Sequence, residues 1–443
     1  MMRYIVLLIL LITTIAISKE YSLEISKRAK SRIDHLPKGK VADMWRIPQD
    51  PAYYAKQIVP FSKSQRDRNF KRFKKLYFMP WSLHSLDIPP QDFGWEVRFV
   101  TKKPIYKENG KIIPSYIYKR WIANAQMQKQ DSVGAYAITI RHTDVKAFPT
   151  SSKFYRDPRR VGEGFPFDYN QNSSLHINVP LYISHYSKDH RWAFVRASYS
   201  FGWVKVQDIA LVDRKFIRHF KIGLYAMSIK DNLRLYDDKH HPVSLIKLGA
   251  LFPYSSVSDS YFVATKGYMG KAKIKKIKIK HKNIIAKIPL PFTSKNVAKI
   301  AKEFYGEPYG WGGGYKCRDC SATTRDFMGV FGVFLHRNSS KQAKDGTQVY
   351  IKGLKKHRKK RAIIQNAKPF RSLLYVPGHI VLYLGRYKNE PVIMHTYWGI
   401  RKNNGSKLIT ARTIITTTEP GRERKDVKEK SKLINTLKYI VNF

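Results

Sequence analysis

Acidic side chains are scarce in this chain: 32 Asp and Glu stand against 83 Lys and Arg, a formal net charge of +51. So one-sided a balance draws polyanions, whether nucleic acid, anionic lipid or an acidic polymer. Cysteine is scarcer still, with two in 443 residues. Two thiols exclude a disulfide-stapled scaffold and leave one C-x-x-C pair, Cys317 and Cys320, readable as a disulfide, a redox pair or half a zinc site. Zinc needs more ligands nearby and none is adjacent, while a thioredoxin-like site wants a βαβ setting that this glycine-rich turn does not offer. There is no phosphate-binding glycine loop and no metal constellation, so neither cofactor nor metal is expected. A long apolar run is also lacking: Tyr4 to Ile17 falls short of the roughly eighteen residues that cross a membrane.

That run follows Arg3 and ends in Ala16-Ile17-Ser18, which fits a signal peptide over 1–18 better than the alternative, an uncleaved anchor. Export to the periplasm or envelope removes most of the nucleic-acid hypothesis and leaves the wall, whose peptides carry carboxylates, as the anionic partner. What the chain does hold is core: 43% hydrophobic and 13% aromatic residues over 443 positions support two to four domains.

The stretch Tyr309 to Phe334, YGWGGGYKCRDCSATTRDFMGVFGVF, runs from a glycine turn into apolar positions at helical spacing. Cys320 falls on the first turn of that helix, where orphan N–H groups and the positive end of the dipole favour thiolate. Gly312 to Gly314 would let backbone or substrate pass beside the sulfur. The bland alternative is a buried cysteine on a core helix. Downstream, GHIVLYLG and PVIMHTYWG alternate as strands, and RYKNE between them suggests a hairpin. A turn near Tyr387 or Lys388 would put His379 and His395 on one face, directly or diagonally opposed. Cys320, His379 and His395 then fill the roles of nucleophile, base and orienter.

These motifs, in this order from about Ser294 to Ala411, resemble the NlpC/P60 family of papain-like cell-wall peptidases. The resemblance implies a cysteine peptidase that cleaves peptidoglycan stem peptides or muropeptides after γ-D-glutamate, before a diamino acid. It implies Cys320 as nucleophile, His379 as general base and His395 as the orienting third member. Tyr309 matches a tyrosine near the oxyanion, and Asp319, beside Ser321, matches an acid that in some members contacts the substrate's free amine.

The expected fold is multidomain α+β: a papain-like catalytic domain behind two all-β SH3-like barrels and an N-terminal clip. Residues 19–120, basic and proline-punctuated, form the clip, whose Trp45, Phe61, Phe78, Trp81 and Trp95 need somewhere to bury. Short β-rich runs at Ala135–Arg141, Leu181–His185, Trp192–Ala197 and Gly202–Val206 suggest a barrel over 121–213, and WAFVRASYSFGWVKVQDIA resembles the end of a bacterial SH3-like domain. The loop VGEGFPFDYNQNSSL between them is long enough to be functional. In related enzymes this barrel borders the active site and holds the free amine, which makes Glu163, Asp168 and Tyr169 candidates. Further β-rich runs suggest a second barrel over 214–285, with KAKIKKIKIKHK as a lysine-protected edge strand. Residues 286–443 form the catalytic domain, with KKHRKKRA as a solvated loop and a charged, helix-prone tail after Pro420. A monomer is expected. A non-catalytic wall-binding protein and an amidase or acyltransferase of the same fold are the alternatives.

Overall fold

The computed structural model describes residues 20–160, 162–281 and 283–443, so the expected signal segment lies outside the described residues. Three sheets organise the chain. The first has seven strands in the order Gln171–Leu175, Thr143–Lys146, Phe201–Lys205, Trp192–Ala197, Pro180–Tyr186, Ala135–Thr139 and Ile209–Leu211. The four runs expected there sit within two residues of these strands. Gln171–Leu175 departs from the loop expected there: QNSSL shows little apolar alternation because on the face it buries only Leu175 enters the hydrophobic core, while Gln171 and Ser173 meet polar backbone and an arginine.

The second sheet has eight strands in the order Pro242–Ile246, Leu233–Tyr236, Tyr21–Ile25, Ala272–Ile279, Ser260–Lys266, Leu251–Ser255, Tyr225–Ser228 and Ile285–Lys287. Here the edge-strand expectation fails. Tyr21–Ile25 inserts in parallel beside the lysine-rich strand, Tyr21 opposite Ile277 and Leu23 opposite Ile279, and in antiparallel beside Leu233–Tyr236. Nothing local in YSLEI signals so distant a pairing.

The N-terminal region is more ordered than its proline content suggests. Ser62 and Gln65 form a capping box that starts the helix Lys63–Tyr77, which buries Phe73 and Tyr77. The Tyr77 hydroxyl donates to the Asn178 carbonyl at 3.0 Å and the Trp81 indole to the Ala137 carbonyl at 2.8 Å, pinning this segment to the first sheet. Each such ring contributes about 1.5–3 kcal/mol by burial. Trp45 departs from expectation: it is 64% exposed.

The third sheet has six strands in the order Thr347–Tyr350, Tyr439–Asn442, Ser372–Val376, His379–Tyr387, Glu390–Arg401 and Lys407–Thr417. The helices Ser294–Phe304 and Cys320–Val330 join its apolar face through Val297, Ile300, Phe304, Phe327 and Met328, which share a core with Leu373, Ile380, Leu382 and Met394. Two expectations are corrected. The tail after Pro420 ends as a strand paired on both sides, to Thr347–Tyr350 and Ser372–Val376. KKHRKKRA enters the helix Lys356–Asn366, and within it Lys359 is buried, its Nζ donating to the carbonyls of Ile434, Asn435 and Leu437 at 3.0 to 3.1 Å. A buried ammonium that satisfies three terminal carbonyls reads in sequence like any other lysine.

Candidate active site

Asp319 caps the helix Cys320–Val330 by accepting the Ala322 N–H at 2.9 Å, which places Cys320 at the first helical position. The sulfur lies in a covered corner, the residue only 9% exposed. Of the two uses expected for the glycines, close passage of backbone is the one seen. A Cβ on Gly312 would stand 2.1 Å from the Gln171 carbonyl oxygen, and one on Gly313 would stand 2.3 Å from Ser174 Oγ. They admit the backbone of the first sheet, not a substrate, and so dock that sheet against the turn before the cysteine.

His379 opens its strand beside Ile380, whose backbone N–H faces the Cys320 sulfur. The turn falls at Lys388 and Asn389, and because Leu382 pairs with Met394, His395 lies diagonally across from His379. His379 Nε2 and His395 Nδ1 are 3.0 Å apart. The direction of this bond is set at its far end. Thr416 donates its hydroxyl hydrogen to the Thr417 carbonyl at 2.8 Å, so its oxygen must accept from His395 Nε2 at 3.2 Å. His395 then carries its proton on Nε2, accepts from His379 Nε2–H through Nδ1, and leaves the His379 Nδ1 lone pair unused by the relay. Replacing Thr416 by valine frees this tautomer. A drop in kcat of about tenfold with little change in KM is expected, the lower end for a group that orients a reacting residue, and steady-state kinetics would measure it.

Electrostatics correct one expectation outright. The helix N-terminus was expected to favour thiolate, yet burial, with the Asp319 carboxylate second, pushes the Cys320 thiol up to about 12. Desolvation outweighs the dipole because the sulfur has lost its water. Burial likewise lowers His379 to about 4, partly opposed by Asp319, and holds His395 well below the usual imidazole range. At neutral pH the resting pair is therefore thiol and neutral imidazole. The sign follows: the base stays unprotonated down to about pH 4, where activity is lost as pH falls, while thiolate grows with every step upward in pH. Iodoacetamide alkylation of Cys320 should rise about tenfold per pH unit from 7 to 9. A rate flat across that range would mean a preformed ion pair.

Around this corner stand Tyr309, Trp311, Phe167 and Trp398, with Phe167 5.0 Å from Trp398 and 5.3 Å from Trp311 between ring centres. Tyr309 packs on Trp398 at 5.7 Å, and burial together with Asp319 and Cys320 keeps its phenol protonated. Asp319 is held by Arg337 in a two-pronged pair at 3.0 and 2.6 Å, and also accepts the Gly312 N–H at 3.2 Å. Ser321 accepts from Arg337 at 2.8 Å and donates to Asp319 at 3.2 Å, so it braces that pair. Arg337 also reaches Ser173 Oγ of the first sheet at 2.9 Å.

Residues 306–414 match the family model described as NlpC/P60 family, residues 6–129 that of the NLPC_P60 stabilising domain, N term, and residues 153–205 that of an SH3 domain of SH3b1 type. The chain carries an NlpC/P60 family domain together with that family's N-terminal stabilising domain and an SH3 domain. Its fold is similar to that of an NlpC/P60 endopeptidase from Photobacterium damselae subsp. piscicida, at 20% identity and a TM-score of 0.79 over 92% of this chain and 98% of that one. An NlpC/P60 family protein from Bacillus cereus (15% identity, 70% and 99% covered, TM-score 0.44) and the peptidoglycan hydrolase RipB from Mycobacterium tuberculosis (20% identity, 33% and 62% covered, TM-score 0.20) are also matched. No curated protein matches.

Within this NlpC/P60 chain, His379 and His395 are bonded to each other, and Tyr309 and the Ile380 N–H lie close to Cys320, while the SH3 loop's candidates divide. Tyr169 lies 5.8 Å from Trp311 and donates to Glu163 at 2.9 Å. Asp168 instead spends Oδ1 on the backbone N–H groups of Phe154 and Asn170, at 3.2 and 2.9 Å, which shapes the loop. Cys317 is a free thiol whose sulfur meets Arg28 at 3.5 Å, and burial pushes it up to about 11. Sequence reasoning missed Thr416 and Arg337. Neither carries a local signal, since one sits in a threonine run and the other is one of 83 basic residues.

Proposed function

We propose that the chain is an exported cysteine peptidase that hydrolyses the γ-D-glutamyl-diamino acid bond of peptidoglycan stem peptides. Family membership supports a peptidoglycan hydrolase. The single observation that carries the cysteine mechanism is the Thr416–His395–His379 relay, which leaves one imidazole lone pair for the sulfur's proton. As the Cys320 sulfur attacks the carbonyl, His379 Nδ1 takes its proton, and the resulting imidazolium is stabilised through His395. The backbone N–H of Cys320 and the Tyr309 hydroxyl are the donors for the oxyanion. His379 then protonates the leaving amine, and water, deprotonated by the same ring, releases the acyl-enzyme. The lysine-rich surface concentrates an anionic polymer near the site. In the same reading, the eight-stranded sheet is a second SH3-like unit, closed by the strand Tyr21–Ile25.

Digestion of purified muropeptides followed by mass spectrometry tests this. Fragments ending in γ-D-glutamate are expected; unchanged masses would sink the hydrolase reading. The covered sulfur favours one rival, a wall-binding protein that keeps the fold without the chemistry. An activity-independent label settles that: a thiol-directed electrophile carried on a stem peptide should modify Cys320 and spare Cys317.

A further inference from the structure

A cavity of about 240 Å³ opens where three parts of the chain meet: residues 26–31, which follow the strand Tyr21–Ile25, the second sheet, and the glycine turn before the nucleophile. Six cations line it, Lys27, Arg28, Lys30, Arg234, Lys247 and Lys316, and no Asp or Glu among the described residues does. Two of the six are already matched. Arg28 pairs with Asp34 at 2.8 Å, and Lys247 with Asp231 and Glu307 at 2.8 and 2.9 Å. The other four have no ion-pair partner among the described residues. Glu24 stands opposite Arg234 across the strands but does not supply one, because its carboxylate takes Lys280 at 3.0 Å. Arg234 gives only its Nε, to Ser26 Oγ at 3.2 Å, which leaves the fork of Nη1 and Nη2 without an acceptor among the described residues. A basic chain scatters unpaired cations over its surface; here they come from separate segments onto one hollow, where like charges repel and an anion relieves them.

We infer that this cavity binds a doubly charged phosphate, either the free ion or a terminal phosphate on a larger molecule, with the Arg234 fork and the ammonium groups of Lys27, Lys30 and Lys316 as its donors. The inference stands apart from the peptidase reading. Four unpaired positive charges call for more than one negative charge, and their approach from separate segments calls for oxygens in several directions. A carboxylate offers one charge and two oxygens in a plane, whereas a phosphate monoester offers about −1.5 to −2 and three terminal oxygens. The guanidinium fork fits two of those oxygens, and each lysine adds a point charge. Lys316 adjoins Cys317, whose sulfur meets Arg28 at 3.5 Å, so a phosphate held here joins the N-terminal run and the second sheet to the turn that leads to Cys320.

Calorimetric titration of the full chain with inorganic phosphate, in a chloride buffer at constant ionic strength and a pH where the ion is a dianion, tests this. Saturation at one phosphate per chain is expected. Replacing Arg234 and Lys316 together by glutamine should weaken binding at least about tenfold, the scale for deleting a charge-assisted hydrogen bond. Lys71→Gln with Lys119→Gln removes the same charge from exposed positions elsewhere and should change the affinity by less than about twofold, since such charges are screened. Should the first pair fail to fold, Lys30→Gln with Lys316→Gln, both exposed, is expected to weaken binding on the same scale. Dimethyl phosphate, with a single charge, should bind at least about tenfold more weakly than the free ion. Glucose 6-phosphate binding as tightly as inorganic phosphate assigns the site to a carried monoester, and weaker binding assigns it to the free ion. Unsaturable binding, equal weakening by the control pair, or equal affinity for dimethyl phosphate overturns the inference.

Discussion

Turnover of muropeptides falls by about 10⁴–10⁶-fold when Cys320 is replaced by alanine, the range seen when a covalent nucleophile is deleted and only binding and oxyanion donors remain. His379→Ala should cost a similar factor, and the double variant should be no worse than either single one, because sulfur and imidazole act as one unit. The structural cost is small by comparison. Cys320 sits at the first turn of a helix whose cap is Asp319, so alanine removes the sulfur that meets the Ile380 N–H but leaves the capping bond in place. Mass-spectrometric rates with a circular dichroism control would check this. Residual activity within tenfold of the unmodified chain would mean that another group makes the covalent bond.

Much of this corner was legible in the sequence because its signals are local. A helix start and a strand alternation fix Cys320, His379 and His395 to within a turn or a pleat, whatever the rest of the chain does. The turn at Lys388 and Asn389 falls where RYKNE pointed, and a slip of one residue would have sent one ring to the other face. What escaped was set by tertiary partners. Asp319 reads as an available acid until Arg337, eighteen residues on and held by Ser173 of another sheet, is found upon it. The lysines of KAKIKKIKIKHK read as edge protection until a strand from residue 21 pairs with Ile277 to Ile279 on that edge. The thiolate expectation failed for the same reason: dipole direction is readable from a helix start, but burial is not.

The largest stability effect is expected two residues before the nucleophile. Arg318 is buried and spreads one guanidinium over three carboxylates: Asp231 at 2.7 and 3.0 Å, Glu307 at 2.9 and 3.0 Å, and Asp326 at 2.7 Å, with the Leu248 carbonyl at 3.0 Å besides. Lys247 joins Asp231 and Glu307 at 2.8 and 2.9 Å, and His176 of the first sheet reaches Asp326 at 3.2 Å. Lys247, Arg318 and Arg325 balance the three acids, so this knot ties the first two sheets to the turn that ends in Cys320. Arg318→Met leaves three buried carboxylates with two cations, and breaking such a pair from one side costs about 3–5 kcal/mol, a large part of a total near 5–15 kcal/mol. Arg318→Lys should recover little, since a point charge cannot fork to three acids. By contrast, Lys341→Ala, which breaks the exposed pair with Asp92, should cost less than about 1 kcal/mol. Acid should act on the unmodified chain in the same sense. Arg318 and its neighbours hold Asp231 and Asp326 below the ordinary carboxylate range despite burial, so their stabilisation is full above about pH 4 and is lost as pH falls further. Urea midpoints at pH 7 and pH 3 for the unmodified chain and the three variants decide it: if Arg318→Met melts with the unmodified chain at neutral pH, the knot contributes nothing to holding the sheets on the nucleophile's turn.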